Sequence, residues 1–400
     1  MKIIVVGAGL AGSAVAHALA LQGCEVVVLD AVSANAAPTA PSGGLPVGLM
    51  ATLQSANTPS AQLSQLGTAT TLQAARSLLT PGQDWQPCGA LQRAGKLSPQ
   101  DVWMPEAAWI KPAALVRAWL THASVRARIS VRHVTVARLR RAGGAWQALA
   151  QGDQCIDEAD AIVLANGYAA QGLWADACKV AGDPVNALTS THPSSDDTVP
   201  ASSMRPQLTL LHQVAGQVVY GPWNAQWQAL WQRLAHDLQP THQANTATDA
   251  APFALNGNGH FIPAVPWHSQ DVAMPGSSHI WLSGSTYEHG VTCAAITAQG
   301  MASNVQRLQQ LIPAAAQLLA QQHTAGQLQA WAGMRCTTRD RLPVVGAAQD
   351  SVAGLYLCTG MGSRGLSFAA ICGQHIAALI TQVNSSVLPM PLQNAIQVLR

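Results

Sequence analysis

Residues 2–30 read KIIVVGAGLAGSAVAHALALQGCEVVVLD, and the order of their parts decides the fold. Residues 3–6 are β-branched aliphatics, suited to a strand buried on both faces. Gly7-Ala8-Gly9-Leu10-Ala11-Gly12 follows in G-x-G-x-x-G spacing. Residues 13–22, rich in Ala and Leu, predict a helix that Gly23 ends. Residues 25–29 predict a second strand, closed by Asp30, which stands 18 residues beyond Gly12. Each part has a physical job. Gly7 makes the tight turn, Gly9 admits a pyrophosphate to the backbone, and Gly12 lets helix pack on strand. The helix N-terminus offers unpaired N–H groups and a positive dipole end to the phosphates. A carboxylate at the end of the second strand accepts from ribose hydroxyls, which fits NAD or FAD and disfavours NADP. The bland alternative is a glycine-rich turn in an ordinary βαβ unit. Strand, glycines, helix, strand and acid in succession argue against it.

Four hundred residues suffice for two intertwined domains with a large core. Charged residues are only 10% and hydrophobics 48%, so much of the polar surface must be Gln, Ser, Thr and His. The net charge of +2 sets up no global field toward nucleic acid or membrane, though a local patch stays open. Eight cysteines lack any C-x-x-C and read as reduced core residues of a cytoplasmic protein. Thirteen histidines show no H-E-x-x-H, and no metal is expected. The apolar stretch 3–21 has the length of a membrane span, but its glycine spacing and His17 argue otherwise. Met1-Lys2 leads straight into the first strand, so neither a signal peptide nor a membrane segment is expected.

Working outward, the loop Ser42-Gly43-Gly44-Leu45-Pro46-Val47-Gly48 suggests backbone packed against something flat, with a surface turn as the alternative. Residues 52–79 predict a helix that breaks at Pro81-Gly82. Short strands follow at 85–91 and 107–110, then a helix at 113–122 opened by Pro112. Residues 125–136 alternate in part, with Val125, Ala127, Ile129 and Val131 on one face. Arg126, Arg128, Arg132, Arg138, Arg140 and Arg141 fall within 16 residues, as a solvated strand face or a phosphate-contacting patch. Residues 146–150 and 154–160 predict a hairpin, and 160–164 a buried strand ending in Ala165-Asn166-Gly167.

Residues 181–330 differ in kind. Strands at 207–213, 217–220, 259–265 and 279–284 alternate with Pro/Ser/Thr loops such as 191–203 and 239–252, which suits an antiparallel sheet. Trp223, Trp227 and Trp231, at i, i+4 and i+8, read as an apolar helix stripe rather than a base-stacking platform. Residues 291–320 predict a helix interrupted at Pro313. Near the end, a strand at 354–359 leads into Gly360-Met361-Gly362-Ser363-Arg364-Gly365-Leu366 and a helix at 367–382. That arrangement aims a second helix N-terminus at an electron-rich group.

Taken together, the first glycine turn with its acid, L-A-N-G at 164–167, R-C-T-T-R-D at 335–340 and G-M-G-S-R-G-L at 360–366 resemble the FAD-dependent amine and amino-acid oxidase (D-amino-acid oxidase-like) superfamily. Within it the chain is most similar to the C-terminal oxidase domains of bifunctional tRNA 5-methylaminomethyl-2-thiouridine biosynthesis proteins. The words SGGLPVGLM (42–50), WIKPAALVRAWL (109–120), GHFIP (259–263) and GSTYEHG (284–290) carry that likeness. The resemblance implies an α/β fold (α+β overall): a Rossmann-like FAD-binding domain with an inserted antiparallel-sheet substrate domain. The expected division is 1–58, 111–172 and 330–383 for FAD, 59–110 and 173–329 for substrate, and 384–400 as a tail.

It also implies non-covalent FAD, held by the first turn (Gly7, Gly9, Leu10, Ala11, Gly12), Asp30, Ser42, Gly43, Gly44, Leu45, Val136, Ala165, Asn166, Gly167 and the second turn from Gly360 to Leu366. The implied chemistry is oxidation of a C–N bond beside a carboxylate, with the flavin as hydride acceptor and water splitting the imine. Arg335 is the expected carboxylate clamp, with an ion pair to Asp340 as its bland alternative. Arg364, His260 and Tyr287 are the further candidates for binding and orienting substrate. His260 and Asp30 stand where relatives carry Tyr and Glu. Three readings follow: oxidation of a carboxymethylaminomethyl group on a tRNA wobble uridine to aminomethyl; oxidation of glycine, sarcosine or a D-amino acid; or a flavoprotein-like scaffold without turnover. The first expects tRNA as partner and, because the methyltransferase domain of the bifunctional proteins is missing from this sequence, a separate methyltransferase.

Overall fold

The computed structural model describes residues 1–31, 44–51, 57–94, 100–180, 211–238, 252–267, 277–348, 352–383 and 387–398. Along the chain, β1 (Lys2–Val6), α1 (Leu10–Leu21), β2 (Glu25–Asp30), β3 (Gly48–Met50) and α2 (Pro59–Leu78) come first. Four short strands follow, β4 (Trp85–Pro87), β5 (Ala90–Gln92), β6 (Val102–Met104) and β7 (Ala108–Ile110), then α3 (Pro112–Thr121). Next are β8 (Ile129–His133), β9 (Arg138–Ala142), β10 (Ala145–Leu149), β11 (Cys155–Ala159), β12 (Ala161–Leu164) and α4 (Ala170–Val180). The central part holds β13 (His212–Pro222), α5 (Ala225–Leu238), β14 (Ala254–Gly257), β15 (Gly259–Pro266), β16 (His279–Gly284), β17 (Glu288–His289), α6 (Ala298–Leu311) and α7 (Ala316–Thr324). The last part is β18 (Gln329–Thr337), β19 (Val344–Ala347), β20 (Leu355–Thr359), α8 (Gly365–Thr381) and α9 (Met390–Ile396).

A six-stranded sheet, ordered β19-β20-β12-β1-β2-β8, is parallel except at β19. Alternate residues of β1 feed two cores. Ile3 and Val5 meet α1 and α8, whereas Ile4 and Val6 meet a cluster containing Trp146 and Trp174. Small residues bring α1 and α8 into backbone contact: a Cβ at Gly373 would lie 2.7 Å from the Ala14 carbonyl carbon. Because β1, β12 and β20 run parallel, the segments after them, Gly7, Ala165 and Gly360, emerge at one edge of the sheet. That edge is where the helix N-termini of α1 and α8 stand.

A second sheet of eight strands runs β17-β13-β16-β15-β14-β5-β6, with β18 added on β13. Its core is aromatic: Trp227 stacks on Phe261 at 5.4 Å and meets Trp281 at 5.3 Å. Burying each of these rings stabilises by roughly 1.5–3 kcal/mol. Their indole N–H groups are satisfied by one amide: Trp227 and Trp281 both donate to Gln322 Oε1, at 3.1 and 3.0 Å.

Several sequence expectations change in detail. Trp227 and Trp231 lie on α5 and Trp223 just before it, and all three are core. The strand expected over 125–136 shrinks to β8, because residues 125–128 form a turn (Arg128 N to Val125 O, 2.8 Å). As an edge strand it buries little: Val131 is 39% exposed, so the expected apolar face does not form. The helix expected from 291 starts at Ala298, where Thr297 Oγ1 caps the Gly300 N–H. The segments 207–213 and 217–220 contribute to one strand, β13, from His212 onward, while β14 and the full length of β18 were not anticipated. Cys155 and Cys293 are exposed, against the expectation of core cysteines. The loops 191–203 and 239–251 lie outside the described residues.

Candidate active site

The first glycine turn is built by sterics. Gly7 has φ +103°, and a Cβ there would meet the Ala165 carbonyl at 2.8 Å and Asn166 Cα at 2.9 Å. A Cβ at Gly12 would fall 1.8 Å from the Gly7 carbonyl oxygen, so α1 can sit on the turn only without one. Gly9 is different: nothing lies within 4 Å of its Cβ position, and its backbone is ordinary extended. Its lack of a side chain therefore serves nothing inside the protein and leaves a surface open beside the N-terminus of α1. Asp30 accepts a hydrogen bond from the Ala8 N–H, and Gly7 N donates to Leu29 O at 2.8 Å. The acid thus braces the turn, a role the sequence reading did not assign to it. Asn166 stands beside Gly7 with its Oδ1 buried and unpartnered among the described residues. Open glycine backbone, a helix N-terminus and an orphaned buried amide oxygen fit the pyrophosphate and ring of a dinucleotide such as FAD.

Ala165 is buried and Gly167 has φ +66°. Gly44 and Leu45 precede β3, whose Gly48 would place a Cβ 2.5 Å from Leu366 Cδ1. This brings the 44–50 segment against the second glycine turn; Ser42 and Gly43 lie outside the described residues. Val136 is partly buried and packs on the cluster that includes Leu29 and Leu164. The second turn itself, Gly360 to Leu366, is a 3-10 turn at Gly362–Arg364 running into α8. Thr71 Oγ1 donates to the Leu366 carbonyl at 2.8 Å, and a Cβ at Gly67 would lie 1.9 Å from Ser367 O, so α2 clamps the start of α8.

Of the four substrate-site candidates, Arg335 and Tyr287 meet at this turn. Arg335, on β18, donates from Nη2 to Ser285 Oγ (2.6 Å) and from Nη1 to Thr286 O (3.2 Å) and Ala215 O (3.4 Å). Its guanidinium lies over the Tyr287 ring, 4.6 Å from the centroid. Gly216 makes the room: a Cβ there would overlap Arg335 Nη1 at 2.1 Å. Among the described residues Arg335 has no ion pair, and Asp340 instead accepts from Leu342 N at 3.0 Å. Burial pushes the guanidinium's pKa down, opposed by Tyr287. Tyr287 OH accepts from Ser363 Oγ at 3.4 Å, which links the eight-stranded sheet to the second glycine turn. Burial works against its phenolate, but the Ser363 hydrogen bond, the Arg335 charge, Ser285 and the Arg307 charge outweigh it and lower its pKa.

His260, on β15 opposite Gly284, has a buried Nε2 with no partner among the described residues. Burial, then the Arg335 charge, bring its pKa down to about 4, so the ring is neutral at physiological pH. Arg364, on the turn itself, feels the Tyr287 side chain and reaches Ser60 Oγ at the start of α2. Two residues escaped the sequence reading: Ser285, which Arg335 grips, and Arg307 on α6, whose Nη1 donates to Ser285 O at 2.5 Å. A signal existed for the second, since Arg307 is the only Asp, Glu, Lys or Arg between Glu288 and Arg335.

The 126–141 arginines are mostly engaged elsewhere. Arg132 pairs with Asp157 at 3.1 Å, and Arg138 pairs with Asp153 and Asp176 at 3.0 and 3.3 Å. Arg128 donates to Gly23 O and Arg140 to Gln147 Oε1. Gly23 leads into the start of β2, at the sheet edge opposite the glycine turns.

Comparison with known proteins agrees with this geometry. The family model described as FAD dependent oxidoreductase matches residues 2–101 and 217–379. The tRNA 5-methylaminomethyl-2-thiouridine biosynthesis bifunctional protein MnmC of Albidiferax ferrireducens is 36% identical over 94% of this chain and 54% of its own length. Its counterpart in Polaromonas naphthalenivorans is 32% identical over 98% of this chain and 58% of its own. The chain thus spans little more than half the length of these curated relatives. Among solved structures, glycine oxidase from Geobacillus kaustophilus shares the fold with a TM-score of 0.65 at 15% identity, covering 100% of this chain and 99% of that one. Iminodiacetate oxidase from a Chelativorans species does so with a TM-score of 0.63 at 16% identity, covering 97% of each. More than half of the residues fall under one family description, and the chain belongs to the FAD-dependent oxidoreductase family of enzymes.

Proposed function

We propose that this enzyme oxidises the C–N bond of a carboxymethyl secondary amine, and that its substrate is the carboxymethylaminomethyl group of a tRNA wobble uridine. The observation that carries the reading is Arg335: a cation without an ion-pair partner among the described residues, held over Tyr287 beside the second glycine turn. A planar guanidinium suits a carboxylate bidentately. Arg335, Arg307 and Arg364 all act electrostatically on or near Tyr287. Their shared positive charge disfavours an ammonium ion and so favours the neutral amine that reacts. When bound, FAD supplies the two-electron acceptor for the hydride. The α-carbon loses that hydride and the nitrogen its proton, giving an imine; water adds across it, leaving an aminomethyl group and glyoxylate. His260, neutral and with Nε2 unsatisfied, contributes a hydrogen bond to substrate rather than a charge.

In this reading the first glycine turn, Asp30, Ala165-Asn166-Gly167, the 42–45 loop, Val136 and residues 360–366 hold FAD. The division is that expected from sequence: 1–58, 111–172 and 330–383 around FAD, 59–110 and 173–329 around substrate, and 384–400 as tail. FAD is held non-covalently. The nearby thiol, Cys336, has its pKa pushed up by burial, and a thiol kept protonated is a poor nucleophile. The curated relatives are named for methylaminomethyl products, so an aminomethyl product requires a methyltransferase next. Glycine oxidase and iminodiacetate oxidase, whose fold is shared, are named for free carboxymethyl amines, and that likeness supports a small amine as the second reading.

The test is incubation of FAD-reconstituted protein with tRNA carrying carboxymethylaminomethyl-uridine, followed by nucleoside mass analysis. Loss of the carboxymethyl group with release of glyoxylate is expected. An unchanged nucleoside alongside turnover of glycine, sarcosine or iminodiacetate assigns the small-amine reading instead.

A further inference from the structure

The arginines in ion pairs, Arg76, Arg93, Arg117, Arg132 and Arg138, belong to α2, β8, β9, α3 and the segment after β5. Among the described residues the other arginines have no ion pair, and of these Arg339, Arg341 and Arg364 gather at the second glycine turn. Arg339 and Arg341 are exposed on a tight turn between β18 and β19. Arg341 N donates to Thr338 O at 3.3 Å, and Thr338 Oγ1 donates to Leu342 O at 2.6 Å. Asp340, the carboxylate between the two arginines, is turned onto the Leu342 N–H at 3.0 Å. The turn rests on the glycine turn: a Cβ at Gly360 would meet Thr338 Cγ2 at 3.2 Å, and one at Gly362 would meet Thr337 Cγ2 at 3.6 Å. Burial, then the neighbouring Arg341 charge, lower the Arg364 pKa, so these like charges feel one another.

Arg341 also holds φ +63°, a left-handed conformation unfavourable for a residue with a Cβ. Exposed like charges crowded on a strained turn are explained by a ligand that carries the opposite charge in series. We propose that Arg339 and Arg341 contact backbone phosphates of an RNA whose modified base enters beside Arg335. The inference rests on the tRNA reading above and places the RNA surface at the rim of the site, not on the 126–141 strands.

Two contacts of this kind set a salt slope. Each phosphate neutralised on single-stranded nucleic acid contributes about 0.7 to the dependence of log affinity on log salt. The holoprotein and its R339Q/R341Q variant are titrated with tRNA carrying carboxymethylaminomethyl-uridine across a series of salt concentrations. The variant's slope is shallower by about 1.4, so the wild type loses about sevenfold more affinity between 50 and 200 mM salt. FAD content is unchanged, and an R126Q/R141Q variant keeps the wild-type slope. An R339Q/R341Q slope equal to wild type overturns the proposal, as does a reduced slope in R126Q/R141Q alone. A wild type that shows no salt-dependent tRNA binding overturns the tRNA reading and this inference with it.

Discussion

Replacing Gly9 by Ala separates what a glycine does for the fold from what it does for the cofactor. The Gly9 backbone is extended at φ −69° and ψ −172°, and its Cβ position is empty to 4 Å. Ala therefore fits the apo protein without a clash, and the reduced freedom of the unfolded chain, worth about 0.4–1 kcal/mol, offsets the poorer N-cap that Ala makes for α1. The same methyl stands where the pyrophosphate must approach the backbone. Overpacking by one methyl costs about 1–3 kcal/mol, which corresponds to roughly 5–150-fold weaker FAD binding. Gly12→Ala is the counterpart: its Cβ would fall 1.8 Å from Gly7 O, so the turn itself must open and the apo protein is destabilised by at least a similar amount. The assay is FAD fluorescence titration alongside urea unfolding of the apo forms. Gly9→Ala should weaken FAD without loss of apo stability, and Gly12→Ala should lower both. Wild-type FAD affinity in Gly9→Ala refutes the assignment of that surface to the pyrophosphate.

Arg335→Ala should raise KM for a carboxylated amine by about tenfold or more while leaving FAD content unchanged, and Arg335→Lys should recover little because the planar fork is lost; steady-state kinetics with flavin quantitation decide it. His260 has a folded pKa of about 4 against 6.5 unfolded, so its contribution to stability is complete above pH 6.5 and is lost as pH falls toward 4. At most about 3 kcal/mol is at stake, and urea unfolding should show a smaller drop from pH 7.5 to 5 in His260→Phe than in wild type. Gln322→Leu should destabilise by roughly 2–5 kcal/mol, since it strands the Trp227 and Trp281 indoles and the Pro222 carbonyl, as denaturant unfolding would report.

What was legible from sequence follows from how locally each feature is encoded. The first turn was readable because its glycine spacing, its helix and Asp30 all fall within one βαβ unit, although only Gly12 is required by a contact inside that unit, with Gly7 O. The second glycine turn was readable from its spacing, and the tryptophan stripe from its period. The convergence of Arg335, Tyr287 and Ser363 was not, because it depends on pairing β13 with β18 in a register that sets Val214 opposite Arg335 across a long stretch of chain. Arg307 reaches the site only through the way α6 docks on β13, where Gln217 Oε1 accepts from Thr297 N at 2.9 Å. The 126–141 arginines left two readings open for the converse reason. Sequence displays clustered charge, but the partners that neutralise Arg132 and Arg138 lie on β11, on α4 and in the β10–β11 turn.

The most direct test of the account is anaerobic reduction of the bound flavin, which needs no assumption about the final electron acceptor. Holoprotein is mixed with tRNA carrying carboxymethylaminomethyl-uridine, and in parallel with glycine, sarcosine and iminodiacetate, while the oxidised-flavin absorbance is followed. The account predicts rapid bleaching by the modified tRNA and little by the free amines at equal concentration. Bleaching by a free amine with none by the tRNA would contradict it.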